Sequence, residues 1–243
     1  MLPLGKTLEL TMAGPVADAF SLNHNLPDGR YVVQFYSGSV LPDLVVFVPG
    51  PTIQVWLQEL NTSLAYKVVA LQVGDGFSDG VWWVDRYVYD PLQVNIEFTS
   101  AGQGLGDGDP NSFTGSVRVA DQPASRNVIA TALDADPPYQ LARAVSDAGT
   151  GQYVLEWQGY TGKMLITVFD DYGAPHVTGD ARGVGERVHP SQYNGYTYQV
   201  IQSGSLGAEP DWPTVADQTV WSGTVQLIAV PFYRPVSEGP FLV

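Results

Sequence analysis

An all-β fold is predicted by three observations. Short β-branched and aromatic runs recur along the whole chain, 26 glycines and 18 prolines punctuate them at close intervals, and a single brief stretch carries a helical signature. So many short, two-faced strands bury their apolar sides best as β-sandwiches or jelly rolls. A chain of 243 residues has room for two such domains, and the second is expected to end in a small β module.

In chain order the strand signals fall at 31–36, 44–48, 52–57, 66–71, 81–84, 94–98 and 115–119, then at 153–157, 164–169, 196–201 and 224–230. Each is bounded by Gly, Pro, Asp or Asn, which supply the turns. The stretch 139–145 reads as two helical turns, because Pro137-Pro138 precede it and proline at a helix start gives up an N–H that has no partner there anyway. A faint repeat matches Gly29-Arg30-Tyr31-Val32-Val33-Gln34-Phe35 to Gly151-Gln152-Tyr153-Val154-Leu155-Glu156-Trp157. Between the two copies lies a loop-like stretch with Gly102, Gly104, Gly106, Gly108 and Pro110. The expected domains are therefore 1–122 and 123–243, divided near Gln122-Pro123.

Lys and Arg number 11 against 25 Asp and Glu, a net charge of -14. Such a surface repels phosphate backbones, so nucleic acid is not an expected partner. Charged residues make up only 15% of the chain, which leaves much surface to neutral polar groups and favours assembly with copies of itself and other subunits. The absence of cysteine removes disulfides, thiolate catalysis and Cys-ligated zinc together. The first twenty residues lack the charged and continuous apolar regions of a signal peptide, so export by the general route is not expected. No apolar run approaches membrane-spanning length, and no membrane insertion is expected.

Local constellations argue against an enzyme. His24, His176 and His189 are far apart and fit no ligand spacing, so no metal and no cofactor are expected. Ser21, Ser37 and Ser39 lack the strand, Gly-x-Ser-x-Gly and helix setting of an activated serine. Asp170-Asp171, and Asp85 beside Trp82-Trp83, are the carboxylates to consider for glycoside hydrolysis, which needs two facing one sugar. Acidic residues in turns also serve simply to keep sheet edges soluble. Gly106-Asp107-Gly108-Asp109-Pro110-Asn111 alternates oxygen side chains as calcium loops do, yet has no distal bidentate Glu and reads as a turn.

Aromatic residues are the remaining candidates. Trp82 and Trp83 are adjacent in a strand and so point to opposite faces, one into the core and one toward a ligand or neighbouring subunit. Near the C-terminus, Tyr193, Tyr196, Tyr198 and Trp212 cluster in sequence, where rings either stack on sugars or anchor an interface. Trp212 and Trp221 are also expected as core rings of a small module.

The run from Gly185 to Trp221 carries the most specific signal. It places Gly185 and Val188 before an Asn194-Gly195 turn, Tyr198 in the following strand, Gly204 and Gly207 in a second turn, Glu209-Pro210 with Trp212-Pro213 at a corner, and Val220-Trp221 at its close. This pattern resembles a small β module of bacteriophage tail and appendage proteins, itself similar to small chitin-binding modules. One position departs from it: Asp217-Gln218 stands where the module has Asp-Gly. The resemblance implies a non-enzymatic structural component of a virion, in the tail or host-contacting apparatus. It would be made in the host cytoplasm and hold other virion proteins, with host-surface glycan as a further partner. The alternatives are a carbohydrate-binding module of a secreted or cell-wall enzyme and a glycan-degrading enzyme; head decoration and a connector role remain open as positions in the particle.

Overall fold

A computed structural model describes residues 7–10, 19–27, 29–38, 41–48, 52–56, 60–73, 81–91, 95–101, 109–135 and 138–243. Its strands are β1 (Thr7–Leu10), β2 (Ala19–His24), β3 (Arg30–Tyr36), β4 (Leu44–Val48), β5 (Thr52–Trp56), β6 (Ala65–Val73), β7 (Val81–Val88), β8 (Asn95–Ile96), β9 (Thr99–Ala101), β10 (Pro110–Val119), β11 (Gln122–Pro123) and β12 (Asn127–Ala132). They continue with β13 (Tyr139–Val145), β14 (Gln152–Gln158), β15 (Lys163–Phe169), β16 (Ala174–Pro175), β17 (Ala181–Arg182), β18 (Arg187–His189), β19 (Tyr196–Gln202), β20 (Gly204–Ser205), β21 (Thr219–Ser222), β22 (Val225–Pro231) and β23 (Val236–Leu242). The fold is all-β, with no helix among the described residues.

The backbone groups into two compact units. The first comprises Met1–Thr11, Asp18–Phe169 and Pro235–Val243, and the second Met12–Ala17 and Asp170–Arg234; residues 12–17 lie outside the described residues. The sequence boundary near Gln122-Pro123 falls inside the first unit. Those residues form β11, which pairs with the end of β10 as Arg118↔Pro123 and Val119↔Gln122. Ala120 and Asp121 turn the chain with φ of 48° and 63°, so a two-residue connection with both angles positive joins the strands. β10 then runs antiparallel to β14 from Pro110↔Gln158 to Ser116↔Gln152, linking segments on either side of the turn.

The expected helix at 139–145 is instead strand β13, paired antiparallel with β12 from Asn127↔Val145 to Ala132↔Tyr139. Leu141, Ala142, Arg143 and Ala144 are good helix formers, but a helix this short has little stability of its own. A neighbouring strand that accepts the whole backbone overrides the propensity.

Two sheets pack face to face in the first unit. One runs β4-β3-β6-β7-β9 and the other β13-β12-β15-β23. Val32 and Tyr36 of β3 and Val69 and Leu71 of β6 meet Ile129 of β12 and Phe169 of β15 in one buried cluster. The Phe47 ring stacks on Phe169 at 5.7 Å. A buried polar chain crosses the same interface: Tyr36 donates to Gln34 Oε1 at 2.7 Å, and Gln34 Nε2 donates to Thr167 Oγ1 at 3.2 Å. Thr167 and Ser237 hydroxyls then meet at 2.7 Å. Each polar group taken from water along this line finds a partner, which keeps the line tolerable in an apolar core. The opposite face of β3 is buried too, with Phe35 edge-on to Tyr66 and Tyr87 at 6.1 and 6.2 Å. Burial on both faces is why 31–36 reads as an apolar run broken only at Gln34, rather than as an alternating one. β14, covered on one face, alternates strictly between exposed and buried positions.

The second unit is built on the sheet β16-β18-β19-β22-β21, with β17 and β20 paired beside it. Val188, Tyr198, Val200, Leu206, Val225, Leu227 and Ala229 form its core, with Tyr196, Trp212 and Val220 packed against them. Connectivity gives this unit an unusual entry and exit. β15 leads into it and β23 leads out, and those two strands are antiparallel neighbours in the first unit, with Val168 opposite Val236.

Candidate functional site

The residues of the C-terminal motif converge in the second unit. β19 alternates so that Tyr196, Tyr198 and Val200 face its core, and Tyr198 is fully buried. The Tyr198 ring lies 4.2 Å from that of Trp212 at 37°. Its hydroxyl donates to the Pro213 carbonyl at 2.8 Å and accepts from Asn194 Nδ2 at 2.7 Å. Burial pushes the Tyr198 phenol up to about 12, against the opposing pull of the Asn194 hydrogen bond. Asn194 Oδ1 also accepts from the Tyr196 backbone N–H at 3.1 Å.

Glu209 ties two loops together. One carboxylate oxygen accepts from Trp212 Nε1 at 2.8 Å and from the Ser191 N–H at 2.7 Å. Burial pushes this carboxyl up, but the hydrogen bonds from Ser191 and Trp212, with His176 nearby, prevail and hold it below its ordinary value. The Glu-Pro-x-Trp-Pro corner is thus a staple in which the partly buried indole packs on Tyr198 and is fixed by its own N–H.

His176 meets the Trp212 ring edge-on at 5.6 Å and places Nε2 2.9 Å from Ser222 Oγ. A histidine at this distance from a serine is the arrangement of an activated nucleophile. Here Ser222 is 1% exposed. It accepts from the Gly207 N–H at 3.1 Å and donates to the Ala208 carbonyl at 3.3 Å. The hydroxyl is enclosed and committed to the 206–208 turn, so the pair is a structural tie. Gly223 explains the tightness of this corner: φ is 62° there, and a Cβ would run into Ser205 and Gly207.

A second aromatic group lies around Tyr172. His189 stacks on its ring at 4.4 Å and 13°, Phe232 packs at 4.5 Å, and Tyr193 at 5.7 Å. His189 Nδ1 donates to the Pro190 carbonyl at 3.0 Å, which makes Nε2 the basic nitrogen. Burial lowers the His189 imidazole, and it stays neutral at pH 7. Beside this group Arg187 binds Asp170 at 3.0 Å and the Asp171 carbonyl at 2.9 Å. Gly173, with φ of 85°, lets the 170–173 turn close against the Arg187 backbone.

The six aromatic candidates are therefore divided. Tyr198 and Trp212 form one packed pair, Tyr196 packs against the same core, and Tyr193 belongs to the Tyr172 group. Of these four only Tyr198 is buried; Tyr193, Tyr196 and Trp212 are each partly exposed. Trp82 and Trp83 occupy successive β7 positions opposite Ser100 and Thr99 of β9; their side chains lie outside the described residues, as does that of Asp85. The Asp170 side chain is 3% exposed and paired, while Asp171 Oδ1 accepts from the Gly173 N–H at 2.9 Å. Both carboxylates thus serve the turn. Residues 106–108 of the alternating Asp/Gly loop lie outside the described residues. Among the described residues no group of three or more His, Asp or Glu gathers where it could hold a metal ion.

Asn194-Gly195 does turn the chain, with Gly195 at φ of 85°, but not as a two-residue hairpin. β18 ends at His189 and β19 begins at Tyr196, so the connection is the longer 190–195 loop. The two-residue hairpin of this unit is Gly223-Thr224, between paired Ser222 and Val225. Asp217 takes the positive φ, 66°, that its turn requires without a glycine.

Trp221 departs from its expected core role. Val220 and Ser222 face inward, which sends Trp221 outward, and it is 52% exposed on the edge strand β21. Opposite it on β22 is Gln226, and opposite Gln226 on β19 is Gln202. A register shift between Val200 and Gln202 leaves Ile201 outside, 41% exposed. The Gln202 and Gln226 amides make no hydrogen bond to another described residue. The two-residue turn Gly223-Thr224 sets the β21–β22 register that places Trp221 opposite Gln226. No known protein family matches this sequence, and no curated protein matches it significantly.

Proposed function

We propose that this chain is a non-enzymatic structural subunit of a bacteriophage virion, in the tail or host-contacting apparatus, working by assembly with copies of itself and with other virion proteins. The observation that supports this reading is the way the motif residues are used. Gly185 donates its N–H to the Val200 carbonyl at 2.9 Å, Tyr198 and Trp212 pack together, and Glu209 staples the corner to the 190–195 loop. The residues that carry the resemblance thus make one small, hydrogen-bonded β unit, as a scaffold module requires. Its Ser–His pair and its Asp pair are committed to structure, which fits a mechanical role better than a chemical one.

Mass spectrometry of particles purified from the lysate in which the chain is made tests the reading, together with light scattering of the isolated protein. The chain is expected in the particles at a fixed stoichiometry and as a symmetric oligomer in solution. A stable monomer absent from every particle is the result that refutes it.

A further inference from the structure

We propose that the outward row Trp221, Gln226 and Gln202, edged by Ile201, is a binding site for an uncharged saccharide. The row crosses three adjacent strands in register, β21, β22 and β19. Cross-strand partners in such a ladder project from the same face. Trp221 offers a half-exposed indole at the sheet edge, a flat apolar plate with a polar rim. A sugar ring has the complementary form, with an apolar C–H face and hydroxyls around its edge.

The neighbouring side chains match those hydroxyls. A glutamine amide carries both a donor and an acceptor, as a hydroxyl does, and the Gln202 and Gln226 amides have no partner among the described residues. Two strand spacings separate the ends of the row, roughly 10 Å, which suits a short oligosaccharide better than a single ring. Ile201 closes the far end with apolar surface.

Charge selects among ligand classes. The row has no ionised side chain, and Thr219, Ile228 and Gln199 continue the same face without one. Arg187, the next residue in that register, is held by Asp170. The chain as a whole carries a net charge of -14, so phosphate, sulfate or uronate groups meet repulsion with no local cation to offset it. A cationic ligand finds no carboxylate on the row. One indole with Ile201 and the partly buried Ile228 are also too little apolar surface for a stable protein interface, which buries on the order of 1,200 Å² or more in total.

This site differs from the Tyr193, Tyr196, Tyr198 and Trp212 group, whose rings are packed, and it does not depend on the virion reading. The test is affinity electrophoresis of the full chain through gels containing hydroxyethylcellulose, laminarin, galactomannan or dextran, with dextran sulfate as the charged comparison. At least one neutral polymer is expected to retard the protein. Trp221→Ala is expected to weaken that binding at least tenfold and Gln226→Ala about threefold or more, with Trp221→Tyr retaining most of it. The unfolding midpoint and the mass by light scattering are expected to stay unchanged in all three. No retardation by any neutral polymer overturns the proposal, as does retardation that Trp221→Ala leaves intact or that only dextran sulfate produces. A change of oligomeric state in Trp221→Ala also overturns it, by assigning the row to contact between copies. Binding by a chain absent from particles would refute the virion role and leave this site standing.

Discussion

Replacing Tyr198 by Phe isolates what the phenol hydroxyl contributes to the second unit. The ring and its contact with Trp212 remain, while the bonds to Pro213 and Asn194, at 2.8 and 2.7 Å, are lost. A net hydrogen bond is worth about 0.5–1.5 kcal/mol, which puts the pair at about 1–3 kcal/mol. Asn194 and Pro213 are half-buried, so water can reach the groups left behind, and the expected loss lies in the lower part, about 1–2 kcal/mol. If the unit unfolds as its own cooperative transition, that corresponds to a midpoint lowered by about 5–15 °C for a domain of this size. Tyr198→Ala also removes a fully buried ring, for a total above about 4 kcal/mol. Urea unfolding followed by tryptophan fluorescence supplies the free energies. A double-mutant cycle with Asn194→Ala is expected to give a coupling of about 0.5–1.5 kcal/mol. A Tyr198→Phe loss below about 0.5 kcal/mol, or a coupling of zero, would show that the hydroxyl does not hold the corner as described.

Gly223→Ala places a methyl group at φ of 62° against Ser205 and Gly207; it is expected to destabilise the unit by about 2 kcal/mol or more, read from the same urea midpoint. Acidification probes His189: its folded value is lowered from 6.5, so the unfolded chain takes up a proton first and stability falls as pH drops through 6.5 toward the folded value. His189→Phe should flatten that part of a stability-versus-pH curve. Alkali acts through the buried phenols in the opposite direction. Tyr198 is pushed up from 10.0 to about 12, so its contribution is complete below pH 10 and is lost as pH rises through about 12, a loss that Tyr198→Phe should reduce. Arg187→Ala leaves the Asp170 carboxylate, 3% exposed, without its cation; a loss of about 2–4 kcal/mol is expected, partly recovered by adding Asp170→Asn, as the double variant's melting curve would show.

Strands with one clear periodicity, or buried on both faces, were legible in the sequence. β4 was read at its observed ends, and β3, β14 and β15 to within a residue or so. β12, Asn-Val-Ile-Ala-Thr-Ala, has small alanines where other strands carry large apolar residues and so does not announce itself, and its two partners make it a strand. β23 contains Gly239-Pro240, a pair that reads as a loop; it sits at the end of its sheet, where a missing N–H is tolerated. β13 was misread because propensity is local and pairing is not. The Glu209–Trp212–Tyr198 corner was visible as a motif, since its parts are close in sequence. The Tyr172, His189 and Phe232 grouping was not, because it joins residues from three separate strands or loops through packing alone. Trp221 reads as a core ring because a small module has few other large side chains to fill it, whereas the alternation of β21, with Ser222 buried, turns it to solvent.

The neighbouring entry and exit of the second unit have an evolutionary and practical consequence. β15 and β23 would be joined by a short hairpin if residues 170–234 were absent, because Val168 and Val236 already face one another. Lengthening a loop raises its closure entropy only logarithmically, and a folded insert whose ends return to the same place adds little more. The segment between β15 and β23 can therefore be lengthened or exchanged at little cost to the pairing of those two strands. Recombination at those two points would exchange residues 170–234 between related chains while keeping the β15–β23 pairing.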